Sequence, residues 1–98
     1  MAEHQRSVEA MLGQYRELIE KFVKQEISAD EFETEYLHTF TKDNFQVQGN
    51  EFVLLEKLFF DVDSYVSDPV LRDSPDDLSG EQLRGRAAAT FSKLFGLE

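Results

Sequence analysis

The chain has 98 residues, 41% of them hydrophobic, with nine Phe, three Tyr, no Cys and a formal charge of −10. Such a chain makes one domain (1–98) around a single modest core, and disulfides and Cys-based zinc sites are excluded. Its charge opposes contact with nucleic acid or anionic membrane and favours cationic partners. No apolar run reaches the length of a signal peptide or a membrane span, so the expected setting is the cytoplasm, away from membranes. In chain order, Met1 to Arg6 is polar, and a first helix is expected at about 8–26 with Ser7 as its cap. Val8, Met11, Leu12, Tyr15, Leu18, Ile19, Phe22 and Val23 form its apolar stripe, and Glu17/Lys21 and Glu20/Lys24 are i,i+4 pairs of its solvated face. A second helix (about 29–41) opens with a capping box, Ser28 with Glu31, and a hydrophobic staple, Ile27 with Phe32. The short connection makes the two an antiparallel hairpin with Ala29, Phe32, Tyr36 and Phe40 inward and His38 outward.

Thr41 to Asn50 loses periodicity and ends in Gly49-Asn50, a loop signal with Asn50 as a candidate N-cap; Phe45 and Val47 should tuck against the core edge. The third helix is expected at about 51–67. Phe52, Leu55, Leu58, Phe59, Val62, Tyr65 and Val66 fall on one side of it. Glu56, Phe60 and Asp63 lie together on a flank outside that stripe, and Asp61 sits on the far edge. Phe60 has two possible placements, under a flanking loop or exposed as an apolar anchor in a charged surface. Asp68-Pro69 stops the helix, because the proline ring disfavours a helical backbone for the residue before it. An acidic connection with Asp68, Asp73, Asp76 and Asp77 follows, opposed only by Arg72. A fourth helix (about 80–95) opens with a second capping box, Ser79/Gln82, and a second staple, Leu78/Leu83. Its inner stripe is Leu83, Ala87, Phe91, Leu94 and Phe95, and Gly96 ends it. Four helices and no strand pattern predict an all-α fold, a small antiparallel four-helix bundle.

Enzymatic equipment is thin, and the reading is of a protein that is not an enzyme. The two histidines are His4 in the tail and His38 on a solvated face, and the five glycines are scattered singly, so neither a Ser-His-acid constellation nor a phosphate-cradling loop is formed. No metal or other cofactor is expected. Asp61-Val-Asp63 begins like a calcium loop but lacks its glycine, with Tyr65 at the third ligand position. Glu31, Glu35 and His38 share a helix face that reads as an exposed histidine among acids, and Glu35-x-x-His38 occurs once and points out, which fails the di-metal bundle pattern. Nucleic-acid binding fails on charge. An acidic helix edge around an aromatic instead suits a basic protein groove, where carboxylates can occupy the positions of phosphates.

The hairpin Phe22-Val-Lys-Gln-Glu-Ile-Ser-Ala-Asp-Glu-Phe-Glu, the block Leu55-Glu-Lys-Leu-Phe-Phe-Asp-Val-Asp-Ser-Tyr and the following Asp68-Pro-Val-Leu-Arg resemble bacterial self-protective immunity proteins of the colicin D immunity type. The likeness spans roughly Leu12 to Leu94. It implies a four-helix protein that binds a cognate bacteriocin toxin domain, in the type case a tRNA-cleaving nuclease, and blocks its basic active site with acidic side chains. On that resemblance Glu56, Asp61 and Asp63 match toxin-facing acids, while Phe60 departs from the pattern. With the loop acids, the candidate partner-binding set is Glu56, Phe60, Asp61, Asp63, Asp68, Asp73, Asp76 and Asp77. The alternative is an acidic helical adaptor or regulatory module unrelated to toxins.

Overall fold

The computed structural model describes residues 2–44, 46–72 and 77–96, with side chains from Ser7 onward. Among these residues the chain forms four helices, α1 (Ala2–Val23), α2 (Ala29–Thr41), α3 (Asn50–Asp63) and α4 (Gly80–Phe95), with a short 3₁₀ turn at Pro69–Leu71. Phe22 stacks on Phe32 at 4.3 Å and Tyr15 meets Tyr36 at 5.4 Å, so α1 and α2 run antiparallel. Arg84, near the start of α4, lies over Phe22, and Arg16 lies over Phe95 at the other end, which sets α4 antiparallel to α1. Helix α3 closes the ring between α2 and α4, and α2 also touches α4 across the diagonal. The expected all-α bundle is what the chain forms.

The core follows the apolar stripes. Met11, Tyr15, Ile19, Phe22, Phe32, Tyr36, Leu55, Leu58, Val62, Leu83 and Ala87 are fully buried, with Leu78 and Phe91 nearly so. The two buried tyrosines carry polar tips that find partners, as burial requires. The Tyr36 hydroxyl donates to the Leu55 carbonyl at 2.8 Å, and the Tyr15 hydroxyl donates to Asp43 at 2.6 Å. Gln14 holds the other Asp43 oxygen at 2.7 Å, fastening the α2–α3 connection to α1. Val47 tucks in as expected, its amide donating to the Met11 sulfur at 3.2 Å; Phe45 lies outside the described residues.

Both capping boxes form. Ser28 accepts from the Glu31 amide and Glu31 from the Ser28 amide, and Ser79 and Gln82 do the same. Gly80 lets the first turns of α2 and α4 approach closely, since a Cβ there would meet the Ala29 Cβ at 3.2 Å. Other boundaries differ from the sequence expectation. Helix α1 starts at Ala2, with Ser7 inside it, because nothing in Ala2 to Arg6 breaks a helix. It ends at Val23, not residue 26. The Glu26 amide bonds the Lys21 carbonyl and the Gln25 amide the Phe22 carbonyl, a Schellman closure with Gln25 at φ 65° where glycine is usual. Gly49, at φ 149°, takes the N-cap position of α3 in place of Asn50 and offers no side-chain cap. Helix α3 stops at Asp63, four residues before the expected end at Ser67. The chain beyond it pairs with a distant partner instead: Val66 donates to Leu78 and Leu78 to Ser64, each at 2.9 Å.

Phe32→Ala should cost about 3–5 kcal/mol by opening a cavity under Phe22 and Tyr36, against about 1 kcal/mol for Ser28→Ala through the lost cap. Denaturant melts decide the order, and equal losses would mean the Phe32 site collapses around the missing ring. Gln25→Gly should move the same midpoint the other way, by about 1 kcal/mol, because a left-handed residue with a Cβ is strained. A loss on that change would mean the Gln25 side chain holds the closure.

Candidate functional site

Along the outer side of α3 run Val53, Glu56, Phe60 and Asp63, successive members of one helical line. Phe60 is 59% exposed and Val53 57%. Phe60 is therefore the exposed aromatic and not a loop-covered one; its ring meets the edge of Phe59 at 5.7 Å, and Phe59 stacks on Phe40 of α2 at 4.5 Å. Asp63 is exposed and Glu56 half-buried, so two carboxylates flank the ring along the helix.

Helix α2 adds two acids that the sequence reading missed. Burial foremost, then the negative charges of Asp30 and Asp63, raise the Glu33 carboxyl above its ordinary range. Asp30 also accepts a hydrogen bond from the Tyr65 hydroxyl at 2.7 Å. Tyr65 is pushed up to about 12, first by burial, then by its bond to Asp30 and the charges of Asp30 and Glu33. Asp30, Glu33 and Asp63 thus form a crowded acidic corner between the start of α2 and the end of α3. The i,i+3 spacing of Asp30 and Glu33 was the available signal, but it could not say which neighbour they would face.

Asp61 sits apart from this stripe. Its side chain is 13% exposed and its Oδ1 lies 3.0 Å from Nη1 of Arg86 on α4. In the loop, Asp68 is exposed and caps the 3₁₀ turn, accepting from the Val70 amide at 3.0 Å, and Asp77 is half-buried. Asp73 and Asp76 lie outside the described residues. An open groove of about 520 Å³ between α1 and α2, lined by Leu18, Lys21, Ile27, Thr34 and acids including Asp30, adjoins the acidic corner. Among the described residues no three His, Cys, Asp or Glu side chains converge as metal ligands, and no helix is long and apolar enough to cross a membrane.

The family model for bacterial self-protective colicin-like immunity matches residues 10–94. The chain belongs to that family. The match runs from within α1 to the last turn of α4 and includes the α3 stripe, the acidic corner and the loop. No curated protein and no solved structure matches the chain. Membership points to neutralisation of a colicin-like toxin, a task of binding and inhibition, not of catalysis.

The raised Glu33 carboxyl has a sign that can be checked. A carboxyl harder to ionise in the folded state opposes folding above its folded pKa, and that penalty vanishes as pH falls below the ordinary value. Glu33→Gln should therefore raise Tm at pH 7 and lose the advantage near about pH 4. Thermal melts at the two pH values test this; an equal gain at both would trace the effect to packing.

Proposed function

We propose that this chain is the immunity partner of a basic toxin domain, a nuclease of the tRNA-cleaving kind, which it neutralises in the cytoplasm by stoichiometric binding. The α3 stripe and the acidic corner lie in the toxin's catalytic groove, where Glu56, Asp63, Asp30 and Glu33 stand in place of substrate phosphates. The observation that carries this reading is Phe60, exposed at the centre of a carboxylate frame. Acids supply attraction and register, while a rigid aromatic supplies buried area at little entropy cost, a pairing typical of tight interfaces. Family membership supports the same direction. Asp68 and Asp77 extend the acidic field beyond the end of α3, and Asp73 and Asp76 belong to the same connection in sequence. Asp61 is already neutralised by Arg86; it braces α3 against α4 and contributes to the field less than its neighbours do.

Electrostatic steering makes a distinct kinetic signature. Against the toxin domain encoded beside this chain's gene, association should fall steeply with added salt. The pair Glu56→Gln and Asp63→Asn should slow association about tenfold while leaving the circular dichroism spectrum and the melt nearly unchanged. Asp61→Asn should do the reverse, lowering stability through loss of the Arg86 pair and barely altering association. Full protection of toxin-carrying cells by the folded Glu56/Asp63 variant would remove both residues from the interface.

A further inference from the structure

The segment joining α3 to α4 is more constrained than its composition suggests. Its base is closed by the two backbone hydrogen bonds among Ser64, Val66 and Leu78, each 2.9 Å long. Above the base, Asp68 caps the 3₁₀ turn, Pro69 fixes its first φ, and the Leu71 amide returns to the Asp68 carbonyl at 3.0 Å. Arg72 locks the turn from inside, its Nε donating to the Val66 carbonyl at 2.7 Å and its Nη2 to the Ser67 carbonyl at 3.1 Å. Among the described residues, this guanidinium donates to two backbone carbonyls. What the turn displays is apolar: Val70 is 87% exposed and Leu71 65%. Isolated exposed aliphatics are ordinary. Two adjacent ones at the tip of a braced turn, at the same end of α3 as Phe60, are a different arrangement.

We propose that the Pro69–Leu71 turn is a preformed apolar plug whose tip, Val70 and Leu71, enters an apolar recess beside the basic groove of the toxin. This deepens the immunity reading and rests on it. Exposed Asp68 stands at the foot of the tip, so the complementary recess carries an apolar floor and a Lys/Arg margin. A second copy of the chain fits poorly, because its like-charged rim would meet this one. Bracing by Asp68, Pro69 and Arg72 removes the ordering cost that a slack loop would add on binding. The two surfaces then divide the kinetics: the acids set the rate of encounter, and the plug sets the lifetime of the complex.

The test compares the double variant Val70→Ser, Leu71→Ser with wild type, using the toxin domain encoded beside this chain's gene. Both side chains are solvent-exposed, so the circular dichroism spectrum and melting curve should be unchanged. Association rate and its salt dependence should stay those of wild type, while dissociation becomes at least about 30-fold faster. Wild-type dissociation from the double variant would overturn the plug and leave the immunity reading standing. Failure of the wild-type chain itself to bind that domain would overturn both. Sedimentation of the free chain separates the remaining case: a self-association abolished by the double substitution would assign the tip to a second copy and overturn the inference.

Discussion

A column of aromatic rings carries the architecture. Phe22 stacks on Phe32, Phe32 tilts against Tyr36, Tyr36 stacks on Phe40, Phe40 on Phe59, and Phe59 meets Phe60 edge-on. The column starts in the α1–α2 hairpin, runs the length of α2, crosses to α3 and emerges at the surface. Aromatic contacts of this kind add to burial through ring geometry, so they fix orientation as well as contact. The Tyr36 bond to the Leu55 carbonyl sets the height of α3 on α2 at the same place. Phe60 is thus positioned by the core although it is not part of it. Its exposed ring is held on a helix, which suits the anchoring role proposed for it.

Around Phe60, the proposed binding surface works against stability. Asp30 and Asp63 both repel a charge on Glu33, which is partly desolvated as well. A sequence selected only for folding would relieve such crowding, and the proposed binding role gives a reason for keeping it beside an exposed aromatic. Asp61 shows the opposite solution on the same helix. Arg86 neutralises it, and the pair joins α3 to α4.

The parts of the fold legible in the sequence were those set by contacts a few residues apart. The Ser28/Glu31 and Ser79/Gln82 boxes are reciprocal bonds within one turn, so their residues announce them. The end of α3 was not legible, because Tyr65 and Val66 keep the helical period while their backbone is claimed by Leu78 from farther along the chain. Gln25 in a left-handed conformation escaped notice for a related reason: the Schellman closure is imposed by the hairpin, and glycine is only its usual occupant. At the site, periodicity put Glu56, Phe60 and Asp63 on one line. It could not tell solvent from a covering loop at Phe60, nor foresee that Asp61 would meet Arg86. Glu33 entered the site only through the packing of α2 on α3.

The closed base of the α3–α4 connection separates two kinds of change. Ser64, Val66 and Leu78 hold the ends of the segment together whatever lies between them, so the packing of the four helices is insulated from the composition of the turn. Lengthening such a closed segment costs little, since loop-closure entropy grows only with the logarithm of length. Substitutions and small insertions between residues 67 and 77 can accumulate without passing through an unfolded intermediate sequence. A lineage carrying this scaffold can therefore vary one part of its surface while the bundle beneath stays constant.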